Sequence, residues 1–360
     1  MSTSTPLQDG FGRVHRSLRV SVTDRCNLRC RYCMPAEGMA WLGREELLTD
    51  DELERVVRVF ARMGVTELRI TGGEPLVRPG LPGLIGRLRR VEGIREIAMT
   101  TNGVLIAGAI DALVDAGLDR VNVSIDSLDP ERFAAITRRD DLARVLEGLA
   151  ACERHASLRP IKVNAVALRG VSEPDVLPLA ELARERPYVV RFIEVMPLDA
   201  PREWTRQAVL SSGELRAMIG ARWPLEPMDP ERASATGTRW RFADGAGELQ
   251  FISSVTEPFC ASCDRLRLTA DGAGELQFIS SVTEPFCASC DRLRLTADGQ
   301  LRTCLFAEWE TDLRGPLREG ASDERLAAIA LDAVSRKGAG HGMADPAWTY
   351  TGRPMSMIGG

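Results

Sequence analysis

Lysine is almost absent from this sequence. Lys162 and Lys337 are its two lysines, so arginine supplies nearly all of the 46 Lys and Arg side chains. Arginine binds phosphate and carboxylate through two parallel hydrogen bonds, whereas lysine acts as a point charge. A position at which this chain keeps a lysine therefore indicates a role that arginine does not fill.

Features of export and of membranes are also missing. Residues 1–10 are polar and lack the apolar core of a secretory signal, and no stretch approaches the roughly 18 apolar residues of a membrane span. The formal net charge of −5 argues against general nucleic-acid or membrane-surface binding. Nine cysteines, eight of them closely grouped, are typical of metal ligation in a reducing compartment. We therefore predict a cytoplasmic protein that binds neither nucleic acid nor membrane.

Six short segments alternate apolar and polar residues, which predicts six strands. Helical patterns follow them near 50–63, 80–90, 107–116, 130–136, 141–155 and 173–185. Strands that alternate with helices predict a parallel sheet. Six units are too few for the closed eight-fold barrel, so we predict an α/β fold with a partial, open (β/α)6 barrel. The predicted strands are 18–22, 67–71, 96–100, 120–125, 161–166 and 189–195.

The pattern changes near residue 200, where tryptophan, proline and short strands replace the alternation. We predict a smaller C-terminal domain that closes the barrel mouth. The predicted divisions are a loose lead-in at 1–14, the barrel at 15–200, the C-terminal domain at 201–337 and an extended tail at 338–360.

The loop after the first strand carries Cys26, Cys30 and Cys33 with C-x3-C-x2-C spacing. We expect their sulfurs to converge on one point. Three ligands suit an iron–sulfur cluster with one iron left open, because a closed zinc site would need a fourth ligand. Buried thiols, half of a zinc site and a redox sensor are alternatives that the triplet alone leaves open.

Residues 244–270 and 271–297 are identical. Structural repeats are imperfect and usually number at least three, so we interpret the pair as a recent duplication or a sequence artefact. Two alternating segments around Ala297-Asp298-Gly299 predict a β-hairpin in which Thr296 pairs with Gln300 and Arg292 faces Cys304.

The hairpin decides which copy of the repeated C-x-x-C is used. It places Cys290 within reach of Cys304, so we predict that Cys287, Cys290 and Cys304 form a second three-thiolate site. Cys260 and Cys263 would then be displaced. The alternative is a zinc ribbon of Cys260, Cys263, Cys287 and Cys290 in a non-catalytic binding module, although its spacer is slightly long.

At these residues the sequence resembles the radical S-adenosylmethionine (SAM) enzymes, whose signature is C-x3-C-x2-C with an aromatic residue, here Tyr32, before the last cysteine. With a second three-cysteine site, it resembles the GTP 3′,8-cyclase family of molybdenum-cofactor biosynthesis. The resemblance also rests on Gly72-Gly73-Glu74-Pro75, on the segments 286–296 and 304–306, and on the terminal Gly359-Gly360.

The resemblance implies a lyase reaction that uses SAM and two [4Fe–4S] clusters, of which the smaller C-terminal domain carries the second iron–sulfur site. SAM is cleaved reductively to 5′-deoxyadenosine and methionine, and a hydrogen leaves C3′ of GTP. The product is 3′,8-cyclo-7,8-dihydroguanosine 5′-triphosphate. An electron donor, a homodimer and a downstream cyclic pyranopterin monophosphate synthase are implied partners. We expect the surplus repeat copy to bulge from the surface and weaken the activity. A radical SAM peptide-modifying enzyme is the alternative enzyme.

Site residues follow from the same resemblance. The second cluster would bind the guanine base, the terminal glycines would reach into the active site, and the carboxylate of Glu74 would suit the ammonium of SAM. Cationic side chains suit the triphosphate. SAM is assigned to Tyr32, Gly73, Ser124 and Met196, and GTP to Arg19, Arg69, Thr100, Lys162, Arg292 and Arg294.

Overall fold

The described residues form one twelve-stranded sheet. It is seen in a computed structural model that describes residues 6–197, 204–230, 237–253, 290–307, 309–339, 353 and 355–358. The first six strands are parallel neighbours in chain order, and they form the predicted partial (β/α)6 barrel. Each lies within about two residues of its predicted position. They are β1 (Ser17–Ser21), β2 (Glu67–Thr71), β3 (Glu96–Thr101), β4 (Arg120–Ser124), β5 (Ile161–Ala167) and β6 (Tyr188–Glu194).

Helices connect these strands where the apolar periodicity predicts them. The first helix begins after Thr49, whose hydroxyl accepts from the Glu52 amide while the Glu52 carboxylate accepts from the Thr49 amide. Short 3-10 turns lie at Pro75–Val77, Ile106–Gly108, Ala156–Leu158 and Arg206–Ala208. The helices of the barrel are α1 (Asp50–Arg62), α2 (Leu81–Arg89), α3 (Ile110–Asp115), α4 (Pro130–Thr137), α5 (Leu142–Glu153) and α6 (Glu173–Glu185).

The C-terminal part of the chain extends both edges of the barrel sheet. Strands β7 (Leu225–Met228), β8 (Thr238–Phe242) and β9 (Glu248–Ile252) lie beside β6, and β9 pairs with β6 in parallel. At the opposite edge β10 (Arg292–Leu295) pairs in parallel with β1. Antiparallel strands β11 (Gln300–Arg302) and β12 (Thr311–Asp312) complete the sheet, and the remaining helices are α7 (Ser212–Gly220), α8 (Arg314–Arg318), α9 (Asp323–Ser335) and α10 (Met355–Ile358).

Among the residues described, each copy of the repeated segment contributes one strand to the sheet. Strand β9 comes from the first copy, and β10 comes from the second. The predicted hairpin is confirmed, because β10 and β11 pair with Leu295 opposite Leu301 and the Thr296 amide donates to the Gln300 carbonyl at 2.9 Å. Residues 254–289, which include Cys260, Cys263 and Cys287, lie outside the described residues.

Both ends of the chain are packed more closely than we predicted. In the lead-in, Leu7 and His15 are fully buried, and the Leu7 amide donates to the Met63 carbonyl beyond α1. In the tail, the short helix α10 ends at a fully buried Ile358. Neither end is therefore loose over its described residues.

One large apolar cluster lies between the sheet and its helices. Side chains alternate across β1, so that Leu18 and Val20 face this cluster while Arg19 faces the barrel interior. Of the helices described, none has both the length and the apolar character needed to cross a membrane.

Candidate functional site

The barrel interior encloses a cavity of about 570 Å³. It lies among the side chains that point away from the helices and at the carboxyl ends of the parallel strands. Thirteen of the sixteen predicted site residues line it. They are Arg19, Cys26, Cys30, Tyr32, Cys33, Arg69, Gly73, Thr100, Ser124, Lys162, Met196, Arg292 and Arg294.

The cysteine loop is fixed by its own turn and by α4. The amides of Cys33 and Met34 both donate to the Cys30 carbonyl at 2.9 Å. The Arg29 amide donates to the carbonyl of Thr137 at the end of α4, while the Arg29 guanidinium binds the Cys26 carbonyl at 2.6 Å. The Asn102 side-chain amide lies 3.8 Å from the Cys26 sulfur. Backbone and side-chain contacts therefore hold the three thiols on one wall of the cavity.

The three thiols lie near one another on this wall, because the charges of Cys26 and Cys33 both act on Cys30. Over the residues described, no group of three or more His, Cys, Asp or Glu side chains is arranged to hold one metal ion. Three thiolates suit a cluster of several irons. Convergence of the sulfurs on one point stays a prediction.

Burial favours the protonated form of the Cys26 and Cys30 thiols. Burial raises the pKa of the Cys26 thiol to about 11, and a smaller contribution comes from the nearby Glu74 carboxylate. Burial also raises the pKa of Cys30, with added repulsion from Asp126, Cys33 and Cys26. Iron ligation releases such protons, since the ligand is the thiolate.

The Gly72-Gly73 turn after β2 allows the backbone to approach the cysteine loop. A β-carbon on Gly73 would lie 2.4 Å from the Arg25 carbonyl oxygen and 2.5 Å from that of Asp24. The Gly73 amide donates to the Thr23 carbonyl, and the Glu74 amide donates to that of Arg25. Only glycine fits this position without moving the segment that leads into Cys26.

Glu74 lines the cavity and also binds neighbouring segments of the chain, and its contact with the ammonium of SAM stays a prediction. Its carboxylate is fully buried and accepts from the Thr101 hydroxyl and the Asn102 amide, each at 2.7 Å, and from the Leu76 amide at 3.1 Å. Burial raises its pKa to about 7. Three of about four acceptor positions are thus used within the chain, so Glu74 joins the ends of β2 and β3.

Tyr32 is held by a carboxylate that sequence analysis did not identify. Its hydroxyl donates to Asp126 Oδ2 at 2.7 Å, and Asp126 Oδ1 accepts from the Val166 amide at 2.8 Å. Burial raises the pKa of Asp126 to about 6. Its position after β4, beside Ser124, was the available signal.

Three predicted GTP-binding arginines form a row across adjacent strands. Arg69 on β2 is the register partner of Arg19 on β1, which is also the partner of Arg294 on β10. Burial lowers the pKa of Arg19 well below its usual range, and the positive charges of neighbouring arginines, Arg294 first, lower it further. An anion with several negative oxygens is the natural partner of such a row.

A second polar row crosses the other side of the barrel. Arg191 on β6 donates to the Asn164 side-chain oxygen at 2.8 Å and is the register partner of Gln250. Gln250 in turn is the partner of Arg239, which forms two 2.8 Å bonds with Glu248. All of these except Glu248 line the cavity. Sequence analysis missed this row, although an arginine inside the apolar β6 segment was a signal.

Two of the three predicted ligands of the second site are described, and they lie together. Cys290 precedes β10 and Cys304 follows β11. Burial raises the pKa of the Cys304 thiol, and the nearby Cys290 sulfur raises it further. The Phe306 amide lies 3.4 Å from Cys304 Sγ, and Lys337 Nζ lies 3.6 Å from Cys290 Sγ. Leu305 and Phe306 line the cavity, so this site borders it.

The chain terminus approaches the same region. The Ile358 side chain packs against Phe306 in an apolar cluster that also includes Met196, and the Ile358 carbonyl accepts from Arg294 at 3.5 Å. Gly359 and Gly360 lie outside the described residues. Their role therefore stays a prediction.

Two protein-family models match the chain. The Radical SAM superfamily model matches residues 20–183. The Molybdenum Cofactor Synthesis C model matches residues 188–274 and again 271–343, and the two matches meet within the repeat.

Curated proteins are similar over the whole chain. A GTP 3′,8-cyclase of Streptomyces coelicolor is 46% identical over 356 residues, which cover 98% of this chain and 96% of that protein. The GTP 3′,8-cyclase of Mycobacterium sp. strain KMS is 46% identical over 361 residues, covering 100% and 95%. A GTP 3′,8-cyclase 2 of Mycobacterium tuberculosis is also 46% identical, covering 99% and 93%.

Solved structures share the fold at low sequence identity. The crystal structure of Streptococcus suis SuiB bound to S-adenosylmethionine superposes with a TM-score of 0.56 at 15% identity, covering 91% of this chain and 68% of that one. The full-length similarity to curated relatives decides the family. The chain belongs to the GTP 3′,8-cyclase family of radical SAM proteins.

Proposed function

We propose that this chain is a GTP 3′,8-cyclase that acts in molybdenum-cofactor biosynthesis. It converts GTP to 3′,8-cyclo-7,8-dihydroguanosine 5′-triphosphate and cleaves SAM to 5′-deoxyadenosine and methionine. One observation carries the proposal: a cysteine triplet and two rows of cationic and amide side chains face one cavity. The family membership supplies the reaction.

The cavity residues divide between the two ligands. We assign SAM to the wall formed by Tyr32, Gly73, Ser124 and Met196, beside the cysteine triplet. Tyr32 is oriented by Asp126, and the Gly73 backbone lies against the cysteine loop. We assign the triphosphate to Arg19, Arg69, Arg292 and Arg294, with Thr100 and Lys162 on the neighbouring strands.

Membership of the radical SAM superfamily implies SAM and one iron–sulfur cluster. When bound, that cluster supplies the electron that cleaves SAM. We propose a second [4Fe–4S] cluster at Cys287, Cys290 and Cys304, because Cys290 and Cys304 lie together beside the cavity. It would present an open iron to the guanine base.

The remaining assignments follow from the family. We propose a one-electron donor, a homodimer, a cytoplasmic location and a downstream cyclic pyranopterin monophosphate synthase that uses the product. We also propose that Gly359 and Gly360 complete the active site, since α10 already brings Ile358 to Arg294.

The decisive experiment is anaerobic incubation of the full chain with SAM, dithionite and GTP. We expect 5′-deoxyadenosine and the cyclised nucleotide in equal amounts, with deuterium transfer from 3′-deuterated GTP into 5′-deoxyadenosine. ATP is the matched control, because it has the same triphosphate and a different base. The Cys30→Ala variant should form neither product.

Two results would contradict the proposal. SAM cleavage that does not depend on GTP would point to another substrate, such as a peptide. Zinc without acid-labile sulfide in the purified protein would point to a binding module.

A further inference from the structure

Lys337 lies at the second cysteine pair. Its ammonium is 3.6 Å from Cys290 Sγ, 3.3 Å from the Cys290 carbonyl oxygen and 3.2 Å from the Arg292 carbonyl oxygen. The side chain is only 5% exposed. Three acceptors match the three donors of an ammonium. This is one of two lysines in a chain that otherwise uses arginine.

The side-chain partner of this ammonium is the Cys290 sulfur. Among the described residues no carboxylate lies within ion-pair distance of Lys337. A buried charge requires a compensating charge or several hydrogen bonds. Burial lowers the pKa of Lys337 and the Arg13 charge adds to this shift, whereas the Cys290 and Cys304 sulfurs oppose it. A thiolate at Cys290, as iron ligation requires, completes the pair.

The lead-in holds Lys337 in place. The Arg13 guanidinium donates to the carbonyl oxygens of Gly338 at 2.8 Å and Ala339 at 3.1 Å, directly after Lys337. Asp9 orients Arg13 through a 2.6 Å bond to its Nε and also accepts from His15 at 3.1 Å. Asp9, Arg13 and His15 are all buried. We call Asp9 and Arg13 the terminal clamp.

We propose that Lys337 is a positioning residue of the second cluster site, where its ammonium bonds the Cys290 sulfur and offsets the negative charge of the loaded site. The terminal clamp sets its position. This inference rests on the second cluster proposed above. Reduction adds one negative charge to a cluster, so a nearby cation stabilises the reduced form and raises the reduction potential.

The test isolates the second site. In a Cys26→Ala/Cys30→Ala/Cys33→Ala parent, iron and the electron paramagnetic resonance signal belong to the second cluster alone. We would measure iron per chain and the midpoint potential for this parent and for Lys337→Met, Lys337→Arg and Arg336→Met added to it. Arg336 is the matched control, because it is the exposed neighbour and its loss changes the net charge equally.

We expect Lys337→Met to lower the ratio of reduced to oxidised cluster about tenfold at a fixed ambient potential, which corresponds to a midpoint shift of about 59 mV for a one-electron couple. Arg336→Met should leave the potential unchanged, and Lys337→Arg should keep most of the parent value because the charge remains. Iron loss in Lys337→Met, with iron and midpoint potential retained in Lys337→Arg, would equally support the proposed role of the positive charge.

Three outcomes count against the inference. The inference would be overturned if the Lys337→Met protein contained the cluster and had the midpoint potential of the parent. Equal shifts, or equal iron loss, in Lys337→Met and Lys337→Arg would assign Lys337 a space-filling role and overturn it too. An iron-free parent would instead overturn the second cluster itself, so the two failures are distinguishable.

The terminal clamp has its own variant. Arg13→Gln removes the charged donors to Gly338 and Ala339 and leaves Lys337 in the sequence. We expect a shift of the same sign as that of Lys337→Met, and smaller. An unchanged midpoint potential in an Arg13→Gln protein that contains the cluster would contradict the claim that the terminal clamp positions Lys337.

Discussion

Single residues decide whether the cysteine loop can sit against β2. Gly73 is enclosed by the backbone of residues 24 and 25, whereas Gly83 in α2 has open space where a β-carbon would lie. The same substitution at these two glycines therefore has opposite consequences.

Gly73→Ala should lower the free energy of unfolding by about 1 to 3 kcal/mol, because backbone must move to relieve the overlap. It should also reduce iron at the first site, since the displaced segment leads into Cys26. Gly83→Ala should be neutral or stabilise by up to about 1 kcal/mol. Urea unfolding and iron analysis of both variants measure this, and equal effects at the two positions would contradict it.

Titration of Glu74 should make the free energy of unfolding fall as the pH rises. Its pKa is about 7 in the folded chain against an ordinary value of 4.5, because burial disfavours the carboxylate. A raised folded pKa contributes stability that is complete below pH 4.5 and is lost as the pH rises through 7.

Between pH 5 and pH 8, wild type should therefore lose about 2.5 kcal/mol more unfolding free energy than Glu74→Gln, which cannot titrate. Glu74→Gln should be less stable than wild type at pH 5, because an NH2 group replaces an oxygen that accepts hydrogen bonds. Urea unfolding across this range is the measurement. Parallel pH profiles for the two proteins would contradict the prediction.

At the scale of secondary-structure elements, β2, β1 and β10 place Arg69, Arg19 and Arg294 side by side. Like charges on neighbouring strands repel each other. Burial and the repulsion between these charges oppose folding, and a bound anion would offset part of that repulsion. Removal of one arginine should therefore affect intrinsic stability and anion binding in opposite directions.

Arg19→Met should raise the melting temperature without nucleotide and weaken GTP binding about tenfold or more, because a charged hydrogen-bond donor to phosphate is lost. Arg95→Met, at an exposed position, is the matched control and should change neither value. Thermal unfolding with and without GTP measures both effects. A variant that is less stable without GTP and binds it normally would exclude this role.

The sequence predicts those strands and turns that depend on local patterns, and it does not predict how distant strands pair. Alternation placed the six barrel strands, and the turn at Asp298-Gly299 set the hairpin register, because both are local signals. The pairing of β9 with β6 and of β10 with β1 joins segments far apart in sequence, and no local pattern encodes it. The inner row of Arg191, Asn164 and Gln250 depends on that pairing and was missed for the same reason.

The contacts of buried polar residues also could not be predicted from the sequence alone. Glu74 and Asp126 were each visible at a strand end, but their hydrogen-bond partners come from other strands. The Asp9 and Arg13 pair lies in a short segment without periodicity, so the pattern gave no indication that the lead-in is packed.

For the whole molecule, the repeat is the feature with the largest consequence. The sheet takes β9 from the first copy and β10 from the second, so removing residues 254–280 deletes one copy's worth of chain and keeps both strands. The resulting sequence is the same whichever copy is considered deleted.

The chain without residues 254–280 should melt no lower than the full chain, because the described sheet is unchanged and the connection is shorter. Its iron content should equal or exceed that of the full chain, and its cyclase turnover should be higher. Side-by-side calorimetry, iron analysis and product analysis test this. Lower turnover after the deletion would mean that the second copy contributes to the active site.

The arrangement of the sheet also matters while the protein is being made. A ribosome releases all six barrel strands before β9 and β10 emerge, so the nascent barrel has two bare edges at β1 and β6. Bare edges pair readily with other chains. A fragment that ends near residue 230 should therefore aggregate through these unpaired edge strands. During synthesis, rapid completion of the last third of the polypeptide, or a bound chaperone, would protect the two edges from such pairing.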